Sequence, residues 1–303
     1  MAKLKNPLKN VSLILLSVFL FIFIINFVIC NVYYNPNKDA GLTETMFSGT
    51  TQLLFPSTTS VWMNSNNSSN PFSFSHYSQR FYFYKFSETS DGIFKYSFGK
   101  IRITDYNEKL NLGDIPIMQE IFMNDPVKTP QSYWDEIKPN EPYEIWFKFN
   151  SPKTTNIVFE EYDFFLKNGS TLNGGLHGVK WIPVKTSDKS NDICLGMSGN
   201  LSAYFFDPWY RGSIDRSNID AYDCEGSFQQ ILTLLSDHPK ETQMFLQSGL
   251  YKGAENLDIK GRLNYIDENG IFCLGMVVYA RGDKLLSLKN DDTIRIVKFI
   301  ENK

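Results

Sequence analysis

The stretch NYIDENGIFCLGMVVYARGDKLLSLKN, residues 264–290, carries the fold of the C-terminal half. Leading into it, Ile259, Leu263 and Ile266 recur at helical spacing. Gly270 stands where a left-handed helix C-cap wants glycine. IFCLGMVVY is apolar almost throughout, the pattern of a strand covered on both faces. ARGDKLLSLKNDD then offers a tight turn and a short helix, and TIRIVKF a closing strand. Tyr279 and Thr293 are about a dozen residues apart, the usual minimum for a parallel crossover. The expectation is a βαβ scaffold in an α/β domain of helices packed on a mixed sheet, with α+β as the alternative class. The turn Ala280-Arg281-Gly282-Asp283 lacks G-x-G-x-x-G and G-K-[ST], so it reads as scaffold and not as a nucleotide cradle.

Working outward, YEIWFKF (143–149) and HGVKWIPVKT (177–186) read as strands, and CLGMSGNLSAYFF (194–206) as strand or loop. TTNIVFEEYDFFLKNG reads as a helix ending at Gly169. SFQQILTLLSDH (227–238) is a helix in which Ser227 can cap and Phe228, Ile231, Leu232 and Leu235 share one face. The proline-rich, polar stretch 125–144 places a domain boundary near residue 130. Before it, QRFYFYKF and GIFKYSF flank SETSDG as a hairpin. Phe94, Tyr96 and Phe98 share a face, and the phase flips after Gly99, which predicts a bulge there. LTETMFSGTTQLLFP (42–56) has no clean period, and NSNNSSN (64–70) cannot bury a core, so residues 35–70 read as a stalk with some local order.

Residues 11–30, VSLILLSVFLFIFIINFVIC, contain no charge. As a helix they would span about 30 Å at ~1.5 Å per residue, matching the hydrocarbon core of a bilayer. No small-residue cleavage site follows, so the run reads as an uncleaved anchor. Lys3, Lys5 and Lys9 precede it and Tyr33 and Tyr34 follow, which sets residues 1–10 in the cytoplasm and the rest outside a single-pass cell membrane protein. The lipid bilayer is thus the first expected partner. Residues 31–130 form the stalk and a β-rich region, and 131–303 the α/β domain.

The chain of 303 residues has 21% charged residues and a net charge of −3, without the clustered basic face of a nucleic-acid binder. None of the four cysteines forms a C-x-x-C pair, so no zinc ribbon is expected. Cys30 and Cys273 sit in apolar runs, which leaves Cys194 and Cys224 as a candidate disulfide. LGMSGN (195–200) nearly matches G-x-S-x-G, but Asn200 replaces the last glycine, and His76, His177 and His238 show no partner. Asp207, Asp215, Asp220 and Asp223 lack the alternating spacing of an EF-hand loop. No catalytic, cofactor or metal site is expected. In that same loop Trp209, Tyr210 and Arg211 are residue types enriched at binding hot spots. They are the candidate partner-binding residues, unless the two rings simply pack beneath the loop.

The C-terminal pattern resembles the sigma factor regulator C-terminal domain of membrane-anchored anti-sigma factors in Gram-positive bacteria. The residues that carry the resemblance are YEIWFKFNSPKTT, GVKWIPVKT, the helix around SFQQILTLL, and LNYIDENGIFCLGMVVYARGDKLLSLKNDDTIRIVKF. It covers roughly residues 132–300. The resemblance implies an extracytoplasmic sensory or regulatory domain and an effect on an extracytoplasmic-function sigma factor. A tail of MAKLKNPLKN is too short to grip a sigma domain, so that effect is expected to be indirect, through another membrane protein. The rival expectations are a membrane-tethered envelope hydrolase and a structural envelope-binding module.

Overall fold

The computed structural model describes residues 7–32, 40–55, 60–64, 77–85, 88–97, 100–104, 122, 132–162, 178–189, 192–198 and 221–301. Helix α1 (Pro7–Val32) comes first. Its described side chains, residues 11–25, are exposed on every side. Fifteen residues reach only about 22 Å, and among the described residues no helix is long and apolar enough to cross a membrane.

Two sheets follow, and every neighbouring pair of strands in them is antiparallel. The first has the order β1 (Ser60–Asn64), β2 (Tyr77–Lys85), β3 (Glu88–Ser97), β4 (Lys100–Thr104). The β2–β3 hairpin is tighter than SETSDG suggests. Lys85 pairs with Glu88, so most of that loop continues the strand. At Gly99 the expected bulge is a second tight hairpin instead. Ser97 pairs with Lys100, and the reversal of the chain accounts for the flipped phase.

The second sheet has the order β7 (Leu195–Ser198), β6 (Gly178–Val184), β8 (Phe272–Arg281), β5 (Pro142–Thr154), β9 (Ile294–Glu301). Strands β8 and β9 both run antiparallel to β5 and therefore parallel to each other. The crossover between them holds the short helix α8 (Gly282–Leu286) and steps over β5. The βαβ unit is thus split by an inserted strand. Helices and antiparallel sheets together make the fold mixed α/β, with no parallel neighbours of the kind expected for a mixed sheet.

The helices are α2 (Ala40–Leu54), α3 (Ser132–Glu136), α4 (Thr155–Glu161), α5 (Ala221–Asp237), α6 (Pro239–Leu246) and α7 (Ile259–Asn269). Asp258 caps α7 by accepting from the Gly261 amide at 2.9 Å. Gly270 ends that helix at φ +82°, where glycine is favoured, but its ψ of 179° is extended and not left-handed helical. Helix α5 begins before Ser227, so that residue is interior and not a cap. Its expected face of Phe228, Ile231, Leu232 and Leu235 is buried. Helix α4 covers the start of the helix expected up to Gly169, which itself lies outside the described residues.

Helix α2 occupies residues read from the sequence as stalk. Met46, Phe47, Leu53 and Leu54 are buried in it, and so are Thr43, Ser48, Thr50, Thr51 and Gln52. A helix enclosed on all sides has no exposed face to show as a polar stripe, which is why its sequence lacks a period. The core is one continuous cluster drawing on α2, both sheets and the C-terminal helices, and it takes residues from both sides of position 130.

Candidate functional site

Strand β5 alternates its side chains, so Glu144 and Trp146 share one face and Tyr143, Ile145 and Phe147 the other. Across the sheet, Glu144 aligns with Tyr279 of β8, which aligns with Gly178 of β6. The next rank on that face holds Trp146, Val277, Trp181 and Lys298. Strand β6 has a register shift between Val179, paired with Val278, and Trp181, paired with Val277. Lys180 is the extra residue. The bulge brings Lys180 and Trp181 onto the same face, beside Glu144.

Two charged side chains are thereby buried together, Lys180 at 4% exposure and Glu144 at 0%. The Glu144 carboxylate accepts the Trp146 indole N–H at 2.8 Å. The Lys180 amine lies 5.7 Å from the centre of the Tyr279 ring, and the Lys298 amine 4.3 Å from that of Trp146. Phe122 stacks on the Trp146 ring at 5.8 Å. Burial pulls the Lys180 amine down to about 8, and the nearby Glu144 carboxylate partly offsets that pull. The arrangement can hold or release one proton inside the sheet near neutral pH. Sequence reasoning missed it. Its only signal was a charged residue at an inward position in each of two strands, Glu144 in YEIWFKF and Lys180 in GVKWIPV.

A second polar cluster closes the far end of β5. Lys153 lies over the Phe149 and Tyr162 rings, reaches Glu161, and donates to Thr293 Oγ1 at 3.0 Å. Tyr162 donates to Asp291 Oδ2 at 3.0 Å. Burial above all, with the Asp291 carboxylate at its oxygen, pushes the Tyr162 hydroxyl well above its ordinary range. Burial also works against the Asp291 anion, but hydrogen bonds from Thr293 and Tyr162 outweigh it and hold that carboxyl below its usual value. These groups answer one another, so the cluster ties α4 to the entry of β9.

The turn Ala280-Arg281-Gly282-Asp283 is scaffold. A cradle would need amides pointing at a ligand, whereas the Gly282 and Asp283 amides donate at 2.8 Å to the carbonyls of Glu141 and Pro139. Arg281 pairs with Asp283. A Cβ on Gly282 would overlap the Lys138 carbonyl, with Ile137 Cγ2 at 2.9 Å. Gly196 and Ser198 lie inside β7, with Ser198 in register with Trp181, so there is no strand-to-helix elbow for a nucleophile. Gly196 is needed because the Trp181 indole fills the place its Cβ would take.

Cys194 and Cys224 are both buried, yet they are not bridged. The Cys194 thiol is directed at the Leu195 and Val184 carbonyls, at 3.7 and 4.0 Å. Burial pushes it up to about 12, as it does the Cys273 thiol, so neither is a ready nucleophile. His238 ends α5 and precedes Pro239 of α6, as its place at a helix end predicts. Trp209, Tyr210 and Arg211 lie outside the described residues, as do Asp207, Asp215, Asp220, His76 and His177. Among the described residues no group of three or more His, Cys, Asp or Glu could hold a metal ion. No family model, curated protein or solved structure matches the chain.

Proposed function

We propose that the chain is a single-pass membrane protein whose folded part, residues 40–301, is an extracytoplasmic sensory or regulatory domain. The observation that carries the reading is α1. Leu13, Leu16, Phe19, Phe21 and Phe23 are each at least 60% exposed, and the apolar residues between them point to every side of the helix. A soluble helix keeps a polar face toward water, and this one has none between residues 11 and 25. The whole of α1, 26 residues, would reach about 39 Å, enough for a hydrocarbon core of ~30 Å.

The regulatory half of the proposal draws on the resemblance to sigma factor regulator C-terminal domains. In that reading the outer domain acts on an extracytoplasmic-function sigma factor indirectly, through a partner membrane protein. The loop with Trp209, Tyr210 and Arg211 is the proposed contact. One observation favours a tethered enzyme instead, the lowered Lys180 amine, because perturbed lysines cluster at active sites. Its partner Glu144 is enclosed with it, and that supports a structural or sensing role over turnover.

Alkaline carbonate extraction of membranes carrying the full chain tests the anchor, and protease added from outside tests its orientation. The chain should stay in the pellet and its C-terminal part should be digested. Release into the wash would defeat the anchoring reading. Crosslinking in the membrane, followed by mass spectrometry, should then recover a membrane protein with a sigma-binding cytoplasmic domain.

A further inference from the structure

Helix α2 holds the two sheets together, and few bonds hold α2. On the side of the first sheet, Phe47 meets Phe81 at 5.4 Å and Phe94 at 4.9 Å between ring centres. On the C-terminal side it meets Phe245 of α6 at 6.2 Å, and Phe55, just past the helix, stacks on Tyr251 at 5.7 Å. Phe245 also touches Phe94 at 5.9 Å, so one aromatic cluster joins α2, the first sheet and α6. The polar ties from α2 to the C-terminal part are the Trp181 indole N–H donated to Gln52 O at 3.0 Å, and Tyr251, which meets Thr51 Oγ1 at 3.0 Å and Phe47 O at 3.5 Å.

The helix is polar for its burial. Thr51 bonds back to Phe47 O at 2.8 Å and Gln52 reaches Ser48 Oγ at 3.2 Å, both within α2. Those bonds survive undocking, so they do not hold the helix in place. Strands β5 and β8, in contrast, are pinned by ladders on both sides. Local opening favours elements with few ties to their surroundings.

We propose that α2 is a conformational joint: it docks between the two sheets and is released before the C-terminal sheet opens, uncoupling the first sheet from the second. The consequence for signalling rests on the anchoring reading above. Helix α1 ends at Val32 and α2 begins at Ala40, so the joint is the first folded element after the anchor. A partner that held or freed α2 would act where the outer domain meets the membrane.

Hydrogen exchange read by mass spectrometry, on the full chain in lipid nanodiscs, tests the joint. Phe245→Ala removes a ring that touches both Phe47 and Phe94. Exchange across α2 should rise about tenfold while β5 and β8 keep their protection. The milder Tyr251→Phe, which deletes the hydroxyl facing Thr51, should raise it about threefold and guards against a misfolded first variant. Leu285→Ala, buried in α8, should leave α2 unchanged. If α2 exchanges no faster in either aromatic variant, or if α2, β5 and β8 rise together in all three, there is no joint. Carbonate extraction is scored separately. A chain that washes off the membrane while α2 opens first defeats the anchor alone, and a retained chain that opens only as a whole defeats the joint alone.

Discussion

Raising the pH from 8 to 10.5 should stabilise the fold through Lys180, against the usual alkaline trend. In the folded chain this amine releases its proton at about 8, against an ordinary 10.5. Between those values the unfolded chain binds more protons than the folded one, and stability rises with pH wherever that holds. Below pH 8 both states carry the charge and the full cost of burying it is present. Above 10.5 neither carries it and the cost is gone. A difference of roughly 2.5 units at ~1.36 kcal/mol each amounts to about 3 kcal/mol. Other lysines and the tyrosines titrate in the same range, so the quantity to measure is a difference between variants. Urea unfolding of the full chain in detergent, followed by tryptophan fluorescence at half-unit steps from pH 7 to 10.5, would compare wild type with Lys180→Met. The wild type should gain about 3 kcal/mol relative to the variant across the window. Parallel profiles would mean that Lys180 is hydrated or firmly ion-paired in the folded state, and the buried-amine argument would be wrong.

Gly275→Ala in the middle of β8 should cost about 3 kcal/mol as an overpacked core change. Its Cβ would overlap the Phe147 carbonyl and sit 2.9 Å from the Phe122 ring; a thermal melt within a degree of wild type would show that the two strands can part. Asp258→Ala should cost about 1 kcal/mol, because the Gly261 amide at the start of α7 loses its acceptor; Asp258→Asn should recover most of it in the same unfolding assay. Burial raises the Glu44 carboxyl in α2 above its ordinary value. The folded state then holds its proton to higher pH than the unfolded chain, so α2 docking should strengthen as pH falls from neutral through that raised value. Glu44→Gln should slow α2 exchange at pH 7 and remove the pH dependence.

What was legible in the sequence was whatever faces one way. Ile259 and Ile266 on α7, and Phe228, Ile231, Leu232 and Leu235 on α5, are buried as their spacing says, because each helix packs with a single stripe. Strand β8 was legible as doubly covered because apolar residues occupy both its faces. The strand order was not legible. Nothing in residues 280–293 says that β5, more than a hundred residues earlier, inserts between the two strands they connect. Pairing partners are chosen by the whole sheet, and a crossover of adequate length fits either an adjacent strand or one place further on.

The misses share a physical cause, which is burial of polar groups. Arg262 stands on the apolar face of α7, where its guanidinium meets Asp192 at 3.2 Å and Thr186 Oγ1 at 3.3 Å. Lys180 and Glu144 interrupt strands that otherwise read as core. Helix α2 hides five polar side chains by bonding some of them to its own turns. A periodicity argument assigns every such residue to the surface, because an isolated polar group is costly to bury. That cost falls only when a second residue, distant in sequence, supplies the opposite charge or the missing acceptor. A buried polar group is therefore half of a long-range contact, and a single sequence displays the halves without the pairing. The same logic makes these positions the places to look for function. A stripe of leucines stabilises whatever the conditions, whereas Lys180 with Glu144, and α2 with Tyr251 and Trp181, hold by interactions that a proton or a partner can replace.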